Sequence, residues 1–234
     1  MNKSINKKQK VILTVDTSTP NLSIALYKNN KIYGITLSKE IPYYAENLVP
    51  QLDKLLNSTK TLLKDISIIG CNIGPGSFTG LRIGLTFART LAEELNKKIF
   101  VSNSFYIALT HFLHNKNILL LNNKITVIVL LSAIKSEVYY KKFVINKNCI
   151  IQTSKNLCVK KTELGILIKN KPNIYVISNS EYNEIENLIN LKRQNITNIF
   201  YTAEDLVRIY LETNLYTIVS TKNLFPLYIR HTYY

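Results

Sequence analysis

The sequence predicts an α/β protein of two lobes, the second one reduced. Three observations predict it. Short apolar runs alternate with segments of helical spacing from residue 11 to residue 101. Five of the seven glycines fall between Gly70 and Gly84, between a strand-like run and a helix-like one. The apolar pattern then resumes less regularly, with no low-complexity linker between the halves. A length of 234 residues with 46% hydrophobic content can bury a core, as one large domain or two small ones.

Residues 11–15 are apolar and end at Asp16, which predicts a buried strand. Residues 22–27 and 32–37 predict two more, joined by the turn-type Lys28-Asn29-Asn30-Lys31 as a hairpin. Leu48, Leu52, Leu55 and Leu56 recur at helical spacing and predict a helix over 46–56. Pro50 is tolerated there if the helix starts at Ala45 or Glu46, because first-turn N–H groups have no intrahelical partner. Residues 66–70 predict a fourth strand, 79–95 a second helix and 99–101 a fifth strand. The order β-β-β-α-β-α-β is that of one lobe of the ribonuclease-H-like, actin/Hsp70-type fold. In the second half, residues 125–131, 138–144 and 174–178 predict strands, 203–211 a helix and 224–229 a last strand. That is the content of a reduced copy of the same lobe. The lobes are expected at 1–103, carrying the partner-binding helices, and at 104–234.

The formal charge is +15, from 30 basic and 15 acidic residues. Lysines are scattered rather than clustered, and Lys, Asn, Ile and Tyr are abundant while Trp is absent, as A/T-rich codon usage would produce. The charge fits a weak electrostatic contribution to an RNA-binding assembly better than a specific nucleic-acid site. Cys71, Cys149 and Cys158 form neither a disulfide framework nor a CxxC pair, which implies a reducing compartment. No signal-peptide pattern opens the chain, and the longest apolar run, 125–134, is too short for a bilayer. A cytoplasmic protein without membrane association is expected.

Two segments offer chemistry. Asp16-Thr17-Ser18-Thr19 ends the first strand, where actin-like ATPases hold phosphate and orient a metal. No glycine follows Asp16 and Pro20 stiffens the turn, so an Asx turn closing the strand is the competing reading. Gly74-Pro75-Gly76-Ser77-Phe78-Thr79 feeds a helix N-terminus, a geometry suited to anions. It is neither a Walker loop nor a dinucleotide fingerprint. The helix itself carries Gly80, Gly84, Ala88 and Ala92 every four residues, a smooth stripe that lets another element approach closely. Either the chain's own domain or a partner's helix fills it. Glycine inside a helix costs about 0.5–1 kcal/mol relative to alanine, so close contact should offset it. Arg82 in the first turn opposes the helix dipole and calls for an anionic partner, such as a carboxylate on another chain. His111 and His114 show no third metal ligand nearby in sequence, Glu46 and Glu137 show no acid/base pairing in sequence, and Ser77 has no nucleophile set.

The run from Gly74 to Gly84 resembles the hallmark of the TsaB (YeaZ) family. Leu13-Thr14-Val15-Asp16-Thr17-Ser18 is similar to that family's opening strand, and 44–50 to its first-helix motif. Glu137-Val138-Tyr139, Ala203-Glu204-Asp205 and Leu227-Tyr228-Ile229-Arg230 match later landmarks. The resemblance implies a cytoplasmic, catalytically inert scaffold for synthesis of N6-threonylcarbamoyladenosine, beside the anticodon of tRNAs reading codons that begin with adenine. It implies a heterodimer with the transferase TsaD, a ternary complex with the ATPase TsaE, and tRNA reached through the complex. A homodimer is expected when the chain is alone. No cofactor of its own is implied; ATP and a divalent metal would serve the partner subunits. The implied interface is Leu48, Leu52, Leu55, Gly80, Arg82, Gly84 and Ala88, closing a four-helix bundle with the partner. Asp16, Thr17, Ser18, Gly74, Gly76 and Ser77 would be a vestigial nucleotide loop. Where TsaD carries a metal-binding His-x-x-x-His, this chain has Asn103 and Ile107. Three positions depart from the family pattern: Tyr44 replaces a His, and Ser132 and Ile134 replace an Asp and an Arg. The alternative is an actin-like ATPase or peptidase-like enzyme acting alone. The former needs phosphate loops in both lobes and the latter a nucleophile or metal set.

Overall fold

A computed structural model describes residues 10–37, 44–115, 124–133, 136–146, 149–168, 174–179, 189 and 195–229. The chain forms two compact units. The first comprises Met1–Asn72, Phe78–Ser102 and Thr202–Phe225; the second comprises Ile73–Ser77, Asn103–Tyr201 and Pro226–Tyr234.

In the first unit, strand β1 (Ile12–Asp16) is central. It pairs antiparallel with β2 (Leu22–Lys28), which pairs antiparallel with β3 (Lys31–Leu37). The hairpin turn holds Asn29 and Asn30 at positive φ, a conformation asparagine tolerates. On its other side β1 runs parallel to β4 (Ile68–Asn72), and β4 parallel to β5 (Lys98–Ser102). Helix α1 (Tyr44–Ser58) packs on β2 and β3, and α2 (Phe78–Glu94) on β4, β1 and β5. The strand order 3-2-1-4-5 with these directions is the ribonuclease-H-like arrangement that the element order predicts. Pro50 lies beyond the first turn of α1, since the helix starts at Tyr44 rather than at Ala45 or Glu46. Both Pro50 and Glu46 are exposed, so water can satisfy the Glu46 carbonyl that proline leaves without a donor.

The second unit repeats the plan in smaller form. Helix α3 (Ser104–Asn115) leads into β6 (Ile125–Ser132), which pairs antiparallel with β7 (Glu137–Asn146). β7 pairs antiparallel with β8 (Cys149–Thr153) and, further along, with β9 (Leu157–Lys160). A helical turn, α4 (Leu164–Leu167), packs Leu164 into the core beside Ile128, Leu130 and Val176. β6 runs parallel to β10 (Ile174–Ser178), and β10 parallel to β11 (Ile196–Asn198). The path β8-β7-β6-β10-β11 repeats the order 3-2-1-4-5.

The expected division at 103/104 is corrected in two respects. Residues Ile73–Ser77 group with the second unit. Residues Thr202–Phe225 return to the first unit. They bring helix α5 (Ala203–Glu212), which lies on β1, β2, β3 and β4, and strand β12 (Thr217–Val219), which pairs antiparallel with β5. The β-branched Thr217-Ile218-Val219 forms the strand that 224–229 was expected to supply. Residues 224–229 form none, because Pro226 has no N–H to give a ladder and restricts Phe225 before it.

Candidate functional site

The turn after β1 is built inward. Asp16, Thr17 and Ser18 are all buried. One Asp16 carboxylate oxygen accepts the Ser18 N–H at 2.8 Å, which is an Asx turn. The other accepts from the Asn72 amide at the end of β4, at 3.1 Å, and the same amide donates to Ser18 Oγ at 2.8 Å. The Thr17 hydroxyl donates to the Gly80 carbonyl of α2 at 2.6 Å. Burial raises the Asp16 pKa above the ordinary carboxylate range, against the lowering effect of its bonds to Ser18 and Asn72. A phosphate would reach these polar atoms only by displacing bonds that fasten β1 to β4 and α2.

That raised pKa fixes a pH dependence. The neutral form is favoured by folding, so Asp16 contributes stability that is full below the unfolded-chain pKa and is lost as pH rises through the folded one. Asp16→Asn should flatten the melting temperature over that interval. An asparagine still accepts from Ser18, and Asn72 can turn its amide to present oxygen. Identical pH profiles for the two chains, followed by circular dichroism, would refute the assignment.

Gly74, Gly76 and Ser77 belong to the second unit. Gly74 has φ 100°, a conformation open to glycine alone at little cost. Its carbonyl accepts from Ser104 N–H at 2.8 Å, and the Ile73 carbonyl accepts from Leu227 N–H at 2.7 Å. The loop is thus tied to the start of α3 and to the segment near the chain's C-terminus. Asn103 accepts from Tyr106 N–H at 3.1 Å and caps α3, while Ile107 is core.

The expected partner surface needs the larger correction. Leu48, Leu52, Leu55, Gly80, Gly84 and Ala88 are buried within their own unit. The small-residue stripe of α2 faces the unit's own sheet and the Asp16–Ser18 turn. A Cβ at Gly84 would run into the Thr17 hydroxyl. Helical periodicity marks a covered face, and it does not say whether the cover is the same chain or another. Of the seven residues only Arg82 is exposed. It has no carboxylate partner among the described residues; its guanidinium lies 3.9 Å from the centroid of the Phe78 ring.

What the two helices do present is their outer faces. On α1 these are Ala45, Glu46, Val49, Pro50 and Asp53; on α2, Phe78, Thr79, Arg82, Thr86 and Thr90. Val49 is 56% exposed and Phe78 52%. The sequence reading passed over Val49 and Phe78 because each stands off its helix's apolar stripe.

Other ionisable groups are structural. Burial pushes the Cys71 thiol up and leaves it inert. Lys141 has its pKa lowered by burial and donates to Ser154 O at 3.1 Å and Asn156 Oδ1 at 2.6 Å. No group of three or more His, Cys, Asp or Glu among the described residues could hold a metal ion. No described helix is long and apolar enough to cross a membrane.

A family model described as TsaD: tRNA N6-adenosine threonylcarbamoyltransferase matches residues 24–219. The tRNA threonylcarbamoyladenosine biosynthesis protein TsaB of Buchnera aphidicola subsp. Baizongia pistaciae (strain Bp) is 30% identical over 190 residues, 79% of this chain and 72% of that protein. The chain belongs to the TsaB family. The TsaB of Buchnera aphidicola subsp. Acyrthosiphon pisum (strain APS) is 28% identical over 84% of this chain and 86% of its own. The solved structure of YeaZ from Pseudomonas aeruginosa superposes with a TM-score of 0.75 at 18% identity, over 94% of this chain and 99% of that one, and shows the same fold. TsaB membership ties the chain to threonylcarbamoyladenosine biosynthesis on tRNA. Two of the three departures from the TsaB pattern fall at element ends. Tyr44 opens α1, and Ser132 ends β6 with its N–H donating to Asn179 Oδ1 at 2.8 Å. Ile134 and the Arg230 landmark lie outside the described residues.

Proposed function

We propose that the chain is a non-catalytic scaffold subunit that binds TsaD and supports transfer of the threonylcarbamoyl group to N6 of the adenosine beside the anticodon. One observation supports this most. The polar atoms of the ancestral phosphate turn are spent on the chain's own β4 and α2, while α1 and α2 turn exposed apolar side chains outward. A chain arranged this way offers a surface in place of a catalytic set. Its docking face is the outer side of α1 and α2, centred on Val49, rather than the buried stripe beneath. Partner helices laid on that face would complete a four-helix bundle. TsaE would join as a third subunit, and tRNA would be reached through the complex. ATP and a divalent metal belong to the partners, in the cytoplasm. Alone, the chain would cover the same face with a second copy.

Co-expression with TsaD, size-exclusion chromatography and a threonylcarbamoylation assay with and without this chain test the reading. Co-elution is expected, with tRNA modification dependent on the chain. Steady-state ATP turnover by the chain alone, lost in Asp16→Asn, would overturn it. Val49→Asp should weaken TsaD binding by about tenfold or more, since it puts an unpaired charge at the interface centre. Its melting temperature should stay within about 2 °C of the parent, as exposed substitutions usually do. Unchanged co-elution of this variant would move the interface elsewhere.

A further inference from the structure

Arg82 carries a feature that neither the fold nor the scaffold reading requires. It is the fifth residue of α2, one turn in from the positive end of the helix dipole, which weakly disfavours a cation there. It is exposed and has no carboxylate among the described residues to offset that cost. Its guanidinium carbon lies 3.9 Å from the centroid of the Phe78 ring, one turn earlier, within cation–π range. Phe78 is itself 52% exposed, so the stack stands out from the surface rather than filling the core.

An arginine held over an aromatic ring by a cation–π contact gives up part of its rotamer freedom. Its outer N–H groups then form a fixed fork that matches a carboxylate. Aromatic and arginine side chains are the residue types that dominate interface energies. The net charge of +15 draws an acidic surface. The acidic groups of neighbouring α1, Glu46 and Asp53, are exposed and take no part in an ion pair with Arg82 among the described residues. Among the described residues, no carboxylate is offered to the guanidinium.

We propose that Phe78 and Arg82 form the anchor by which this face recognises its protein partner, and that the partner supplies an Asp or Glu to the Arg82 fork while its apolar surface covers the Phe78 ring. This deepens the scaffold reading and rests on it. The pair lies at the end of α2 next to the loop, so it also sets the register of the partner's helices along α1 and α2.

The test titrates purified TsaD with the parent chain and with Arg82→Ala, Arg82→Glu, Arg82→Lys and Phe78→Ala, at two salt concentrations. The three Arg82 variants should melt like the parent, since that side chain is exposed, and a separate melt of Phe78→Ala measures what its half-buried ring gives the fold. Arg82→Glu should bind roughly 100-fold more weakly, and Arg82→Ala and Phe78→Ala about tenfold. Arg82→Lys should recover only part of the loss, because a lysine neither stacks nor forks. Reversal of one acidic residue on TsaD to lysine should restore binding to Arg82→Glu and weaken it to the parent. If the parent binds and Arg82→Glu binds within about twofold of it, the anchor is refuted while the scaffold reading stands. If the parent itself does not bind, both fail together. Binding of tRNA by the chain alone that is lost in Arg82→Glu, with TsaD affinity unchanged, would refute the protein anchor in favour of a nucleic-acid contact.

Discussion

Gly84→Leu is expected to cost roughly 3–5 kcal/mol and to lower the melting temperature by on the order of 10 °C. A Cβ at this position collides with the Thr17 hydroxyl, which is fully committed to the Gly80 carbonyl at 2.6 Å. The helix must then lift from the turn. Lifting breaks that buried bond and opens a gap over β1 and β4, where Leu81, Leu85 and Ala88 are packed. Gly84→Ala tests the same contact more gently. Alanine gains about 1 kcal/mol of helix propensity over glycine, so part of the clash is offset and a smaller loss is expected. Thermal melts followed by circular dichroism decide the matter, and a Gly84→Leu protein melting within about 2 °C of the parent would mean that α2 does not rest on the turn. The consequence for function is direct. Loss of TsaD binding in Gly84→Leu would report a broken first unit and would say nothing about the interface, whereas Val49→Asp and Arg82→Glu act on a face the core does not use.

The first unit was readable in order because its signals are local. Each strand from β1 to β5 is a short apolar run, and the α1 and α2 leucines recur at helical spacing. The return of α5 and β12 to that unit was not readable. What holds them is long-range: Thr14 Oγ1 donates to Ala203 O at 2.7 Å, and Ser102 Oγ to Leu215 O at 2.7 Å. Residues separated that far in sequence leave no periodicity to find. The short strands β8, β9, β11 and β12 escaped for a related reason, since three to five residues at a sheet edge take their conformation from a neighbour rather than from their own pattern. At the candidate site, the sequence singled out faces of α1 and α2 that the fold buries. Gly80, Gly84 and Ala88 are small because Thr17 and the sheet sit against them, and the same smallness would have served a partner helix. Exposed Val49 and Phe78 carry no pattern at all, and only the fold distinguishes them from incidental surface residues.

Phe100→Ala is expected to cost about 3–5 kcal/mol, the usual range for emptying a fully buried aromatic position. The ring lies on the bare backbone of Gly70, its direct register partner on β4. Its centroid is 4.6 Å from Tyr210 on α5 and 5.6 Å from Tyr216 just before β12, and those two tyrosines are 4.9 Å apart. Removing the ring therefore unties the returning segment as well as opening a cavity. Hydrogen exchange should quicken across 203–219 before it does in β1 or β4, because the ring packs directly on Tyr210 and Tyr216. Gly70→Val should destabilise for the opposite reason, since its side chain would occupy the space of the ring. The two changes should not add. With the ring gone, valine fills part of the hole it left, so the double variant should be more stable than the sum of the single losses by about 1–3 kcal/mol. Strict additivity would show that Gly70 is not glycine for the sake of Phe100, and that the tie between α5, β12 and the rest of the first unit is made elsewhere.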